Sequence, residues 1–112
     1  MTDAIIVFCT CSNHSEASKL GHSIVSEGAA ACVNIVPAIE SVYRWGGKIE
    51  TAQEVLLLIK TTRALFPVLR DLIVRLHSYD TPEAIAVPVT DGLAKHLAWL
   101  GATIATPEFG SG

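Results

Sequence analysis

The chain has 112 residues, half of them apolar and 17% charged, which suits one compact globular domain rather than a disordered protein. Its formal net charge is −3, with eight Lys and Arg scattered along it, so nucleic acid is not expected as a partner. No apolar run approaches the roughly 20 residues that span a bilayer, and the opening "MTDAIIVFCT" lacks a basic segment and a cleavage site. No membrane partner is therefore expected, and the expected location is cytoplasmic.

Residues Ala4 to Thr10 ("AIIVFCT") are β-branched and aromatic and read as a first strand. Ser12 or Asn13 can cap a helix with Glu16 in its first turn. Ala17, Leu20, Ile24, Val25 and Gly28 then follow at helical spacing, with Gly28 as the stop. "CVNIV" reads as a second strand closed by Pro37. "SVYRWGGKIE" carries strand residues around Gly46-Gly47, the best hairpin turn in the chain.

The pattern then recurs. "EVLLLIKT" is a strand, and Pro67 sits at a helix start, where its missing N–H costs nothing. Leu65, Val68, Leu69, Leu72, Ile73 and Leu76 form an apolar stripe. "AIAVPVT" is a last strand, with Pro88 marking an edge or a bulge. "GLAKHLAWLGATI" predicts a short terminal helix with Trp99 as a packing anchor, and a tail is expected from about residue 101, including "TPEFGSG". The whole, 1–112, is read as one domain.

The order β-α-β-β-α-β is the ferredoxin-like motif, an α+β fold with an antiparallel sheet. In its usual strand order, 4-1-3-2, the end of strand 1 lies beside the start of strand 4. Cys9 and Thr10 are thereby expected near His77-Ser78-Tyr79-Asp80-Thr81-Pro82-Glu83. Two helices cover only one face of such a sheet. Yet "VLLLI" (Val55 to Ile59) and "AIIVFC" are apolar at every position. Both faces should be buried, and self-association is the economical way to cover the second.

Cys9, Cys11 and Cys32 make an odd number in a chain without an export signal, which argues against a disulfide framework. Free cysteines commonly act as small buried hydrophobes. Cys9 and Cys11 share a face if the strand persists that far.

The segments "AACVNIVPAIESVYRWGGKIE", "QEVLLLIKT", "HSYDTPEAIAVPV" and "HLAWL", in this order and spacing, resemble the CutA (divalent-cation tolerance) family from about Ile5 to Leu100. The resemblance implies a ferredoxin-like subunit assembled as a homotrimer, with the sheets around a threefold axis and an architecture related to P-II-like signalling proteins. It also implies a role in metal tolerance and a divalent metal ion as partner, copper (Cu2+) first and zinc or another cation second. Some members look like copper binders through the strand-1 cysteine and the histidine before the tyrosine, here Cys9 and His77. The chain departs from the family at Trp45-Gly46-Gly47-Lys48, which lacks the usual hairpin acid. His77-Ser78-Tyr79-Asp80 replaces His-Pro-Tyr-Glu but keeps the imidazole and a charge. Leu76 stands where some relatives carry a second histidine.

Cys9, His77 and Glu83 are accordingly the expected metal ligands, since sulfur and nitrogen donors favour copper or zinc over magnesium or calcium. Trp45, Glu54, Lys60, Tyr79 and Asp80 are candidates to line a cleft. For Tyr79 and Trp45 packing with a satisfied polar tip is an equal reading. Glu54 and Lys60, which bracket "VLLLI", are expected in salt bridges or subunit contacts. Glu83 could also pair with a basic group. His14, His22 and His96 have no assigned role.

No catalytic residues are assigned. A Cys9–His77 pair lacks an orienting acid and an oxyanion donor, so the chain is not read as an enzyme. The alternative function is a P-II-like small-molecule sensor, or a signalling or scaffold trimer, with ligand clefts between subunits. No glycine-rich phosphate loop supports a nucleotide.

Overall fold

A computed structural model describes residues 2–105. The chain runs β1 (Ala4–Cys11), α1 (His14–Ser26), β2 (Cys32–Trp45), β3 (Lys48–Thr62), a 3-10 turn at Arg63–Leu65, α2 (Phe66–Leu76), β4 (Ile85–Pro88) and α3 (Ala94–Ala105). The four strands form one sheet in the order β2-β3-β1-β4, and every neighbouring pair is antiparallel. This is the expected α+β, ferredoxin-like arrangement with an added terminal helix.

Local sequence explains the ends of α1. The Asn13 side chain accepts the Glu16 N–H at 2.8 Å, and the Glu16 carboxylate reaches back to the Ser12 N–H at 3.3 Å. These bonds satisfy donors that a helix start leaves open. At the other end Gly28 adopts φ 76°. Its N–H bonds to Val25 O, and the Ala29 N–H bonds to Ile24 O. That pair is the Schellman closure, which favours glycine at the left-handed position.

Ala17, Leu20, Gly21 and Ile24 are the residues of α1 that become buried. Gly21 matters through its size, because a Cβ there would come within 3.3 Å of Val33 Cγ1 on β2. Val25, expected on the buried stripe, is exposed. In α2 the stripe is likewise narrower than expected. Leu69, Leu72 and Ile73 are buried, whereas Val68 and Leu76 are exposed and Leu65 packs against a second cluster.

Three expectations about strand and tail limits need correcting. Pro37 does not close β2, which continues to Trp45 through a bulge between Val36 and Ile39, with Ala38 at φ 62°. The edge position of β2 lets Pro37 stay, because no neighbour needs its missing N–H there. β4 is only Ile85–Pro88, shorter than "AIAVPVT" suggests. Residues 101–105 belong to α3, where Ile104 is buried, and not to a tail; residues 106–112 lie outside the described range. The Gly46-Gly47 turn forms as expected, with φ of 57° and 80°, the conformation a tight two-residue hairpin requires.

The two helices α1 and α2 lie on one face of the sheet. Val7, Cys9 and Cys11 of β1 and Leu57 and Ile59 of β3 pack there with Ile24, Leu69 and Ile73, all with no exposed surface. Each such aliphatic side chain contributes about 1.5–3 kcal/mol by leaving water. Residues of opposite parity form the second face, with Phe8 opposite Leu58 and Ile85, and Ile6 opposite Lys60 and Val87. α3 covers only a corner of that face, where Ala4, Ala31, Leu100 and Ile104 cluster. The rest of the second face is apolar and incompletely covered.

The β2–β3 hairpin projects from this body. The radius of gyration is 14.8 Å, against about 13 Å for a compact domain near 100 residues. Val42, Trp45 and Ile49 on the projecting arm are exposed.

Candidate metal centre

The site begins with strand geometry. β1 stays paired through Cys11, opposite Val55, so Cys9 and Cys11, two residues apart, point to the same, helix-covered face. Both thiols are wholly buried. His77 arrives from the end of α2. Its own φ and ψ, −77° and 146°, leave the helix and direct the chain towards β1. One candidate ligand atom each from Cys9, Cys11 and His77 lies within 4.8 Å of the others.

The His77 ring is fastened on both sides. Its Nδ1 accepts the Tyr79 N–H at 3.0 Å. Nε2 must then carry the proton that it donates to Thr10 O at 2.8 Å. Glu16 Oε2 lies 3.5 Å from Nδ1. With that nitrogen accepting from Tyr79, the approach is a contact and not a formal ion pair. The same Glu16 oxygen accepts the Ser78 N–H at 2.8 Å. One carboxylate thus ties the start of α1 to the turn after α2. Burial works against its charge, but hydrogen bonds from Ser78 and Ser12 overcome that and hold Glu16 down at about 2.

Tyr79 stacks at a tilt on His77, with ring centroids 4.6 Å apart, and its hydroxyl donates to Glu54 Oε2 at 2.7 Å. Burial, followed by the Glu54 hydrogen bond and charge, raises its phenol above the ordinary value. Glu83 is raised by burial and then by Glu54. The Cys9 thiol is pushed far up, first by its hydrogen bond to Cys11, then by burial, the Cys11 charge, Glu83 and Glu16. Cys11 is lowered because the Cys9 hydrogen bond outweighs burial and the charges of Glu16 and Glu54. Cys9 is thereby the harder of the two thiols to ionise and Cys11 the easier.

Of the residues singled out in the sequence, Cys9, His77, Tyr79, Glu54 and Glu83 come together. Trp45 sits at the exposed hairpin tip, and Asp80 is exposed in the turn. Lys60 pairs with Ile6, on the face opposite Cys9. Neither Glu54 nor Lys60 makes a salt bridge among the described residues. Glu54 instead accepts from Tyr79, and Glu83 faces this acid where a basic group had been an option. Trp99, expected to anchor α3, is about half exposed beside His96. Glu16 was missed as a site residue. Its sequence signal, an acid in the first helical turn, pointed only to capping.

Two sulfurs and an imidazole are the donor chemistry of a soft or borderline cation, carried by a ferredoxin-like sheet. Residues 5–103 match the family model described as CutA1 divalent ion tolerance protein. The chain belongs to the CutA1 family. Among CutA relatives, the chloroplastic protein CutA of Arabidopsis thaliana is 50% identical over 87% of this chain and 53% of that protein. The divalent-cation tolerance protein CutA of Thermus thermophilus is 42% identical over 85% of this chain and 92% of that protein. This chain spans only about half the length of the plant and mammalian CutA proteins it matches, at 52–55% of each. The crystal structure of CutA from Xylella fastidiosa superimposes with a TM-score of 0.89 at 42% identity, covering 92% of this chain and 99% of that one. CutA1 from Oryza sativa gives 0.88 at 46% identity, with 91% and 94% covered.

The donor set fits a metal. Among the described residues no other group of three Cys, His, Asp or Glu side chains offers such spacing. No helix among them is long and apolar enough to cross a membrane.

Proposed function

We propose that this CutA1-family chain is a non-catalytic protein of metal tolerance that binds a divalent cation, copper-type by resemblance, as a homotrimer. Cys9 would supply the thiolate, His77 the imidazole and Glu83 a nearby carboxylate. The observation that carries this reading is the convergence of Cys9, Cys11 and His77 within 4.8 Å. A bound cation would supply positive charge to a pocket otherwise surrounded by acids. The protein's part is to desolvate and orient the donors, with Glu16 and Glu54 holding the turn that carries His77 and Tyr79.

Assembly is supported by the apolar second face and the projecting hairpin, which offer Phe8, Leu58, Val42, Trp45 and Ile49 to a second copy. Trp45, Lys60 and Asp80, which do not reach the metal cluster within one chain, would line clefts between subunits. Three free thiols suit a reducing compartment, the cytoplasm.

Calorimetry on the metal-free protein against Cu2+, Zn2+ and a panel of nucleotides and metabolites tests the reading. Saturable metal binding that weakens in Cys9→Ser and His77→Ala supports it; unchanged binding in both overturns the ligand assignment. The rival, a P-II-like small-molecule sensor, is favoured by a groove of about 480 Å3 beside the cluster, lined by Ser12, Asn13, Lys19 and Ser78 together with the apolar Leu20 and Leu76. Tight metabolite binding without metal binding would select the sensor.

A further inference from the structure

The resemblance brings one strand-1 thiol to the site, and this chain has two. We propose that Cys11 is a second thiolate ligand beside Cys9, and that the pair suits the site to a closed-shell, thiophilic dication of the zinc or cadmium class. The inference rests on reading the cluster as a cation site and concerns which donors and which ions it uses.

Geometry is the first support. A cation with metal–sulfur bonds of about 2.3 Å holds two sulfurs between about 3.8 Å (tetrahedral) and 4.6 Å (linear) apart. Cys9 and Cys11 already lie within the 4.8 Å spread of the cluster. They also resist closing on each other. Two residues of strand separate their Cα atoms by about 6.7 Å, at the long edge of the disulfide range. The dithiol therefore persists as a pair of donors.

The second support is what each donor must give up. His77 can ligate only by releasing the Tyr79 N–H or the Thr10 carbonyl, both held by good hydrogen bonds. For the sulfurs the corresponding bond is a long one, 4.0 Å from Cys9 to Thr10 O. They are the donors that cost least to recruit. The two sulfurs are then the first donors recruited, and His77 joins them by giving up the Tyr79 N–H at Nδ1.

Charge is the third. Glu83 and Glu16 act on Cys9, and Glu16 and Glu54 act on Cys11. Two thiolates with a dication are neutral. A monovalent ion would leave one negative charge buried among three carboxylates, at a high desolvation cost. Thiolate donors favour zinc-like ions, whereas Cu2+ prefers tetragonal nitrogen and oxygen sets. Both sulfurs ligate as thiolates, so whatever protons the pair carries pass to water when the dication binds.

The test uses the reduced, metal-free full chain titrated with Cd2+ and Zn2+. It reads sulfur-to-cadmium charge-transfer absorption, protons released per ion and affinity. The parent should bind one ion per chain and release protons, up to two. Cys11→Ser should lose at least about tenfold in affinity and roughly half the charge-transfer intensity, as Cys9→Ser should. Cys32→Ser should match the parent. Cys11→Ala repeats the measurement in case a buried hydroxyl disturbs folding, with circular dichroism as the check. If both Cys11 variants bind as the parent while Cys9→Ser fails, the second-thiol inference falls and the cation reading stands. If the parent binds neither ion but binds Cu2+, the ion class proposed here is wrong. If it binds no metal at all, both readings fall.

Discussion

The two faces of the sheet are nearly equal in apolarity and unequal in fate. Along β1, Val7, Cys9 and Cys11 are wholly buried under α1 and α2, while Ile6, Phe8 and Thr10, between them, stay partly exposed. Along β3, Leu57 and Ile59 are buried while Leu56 and Leu58 are not. Hydrophobic character alone does not decide burial; the covering elements do. The contrast also locates the chemistry. Both strand thiols of the site have the parity of the covered face, where water is excluded and donors can be held apart from solvent. The second face carries apolar side chains in search of a partner.

That comparison can be broken most forcefully at adjacent leucines. Leu57→Ala should cost about 2–5 kcal/mol in denaturant unfolding, the range for emptying a well-packed core site. Leu58→Ala should cost clearly less per chain and act mainly on association. Equal costs, with no change in mass, would mean that the faces do not differ as described.

Phe8→Asp sharpens the other side. It places a charge in the middle of the second face without touching the covered core. Light scattering should report about three times the 11.9 kDa chain mass for the parent and a shift towards the single-chain mass for the variant. A parent that is already monomeric would remove the reason for an apolar second face.

Glu16→Gln probes how the covered side is tied together. The folded carboxyl sits at about 2 against an ordinary 4.5, so its ionised form stabilises the fold above about pH 4.5. That contribution is lost as pH falls from about 4.5 towards about 2. The variant should therefore be less stable than the parent at neutral pH, and the gap should close across that window. A gap independent of pH would show that the Ser78 tether works without charge. Tyr79→Phe should be smaller, about 1 kcal/mol or less by thermal unfolding. Its more telling effect is faster metal uptake, since the turn over the buried thiols loses its bond to Glu54. Unchanged uptake kinetics would mean that the turn is not the route of entry.

Much of this was legible in the chain. The strand and helix order, the Gly46-Gly47 hairpin, the Gly28 stop and the meeting of Cys9 with the His77 turn all follow from short-range chemistry and an allowed topology. Element ends were less legible. Pro37 reads as a strand stop, but β2 lies at an edge where a bulge accommodates it, and edge position is a property of the assembled sheet. Val25, Val68 and Leu76 match the helical period but fall at the margins of stripes whose width is set by what packs against them.

By itself the sequence determined periodicity, caps and turns, because these depend on residues within a few positions of one another. It also determined that β3 is apolar on both faces from Val55 to Ile59, which only counting is needed to see. The tertiary structure decided which of those faces the helices cover, that Glu16 reaches Ser78 across 62 positions, and that His77 gives its two nitrogens to the Tyr79 N–H and the Thr10 carbonyl. The physical reason is direction. A hydrogen bond or a metal-ligand set depends on the approach of particular atoms within a few tenths of an ångström, and only the packed chain brings distant atoms to such distances.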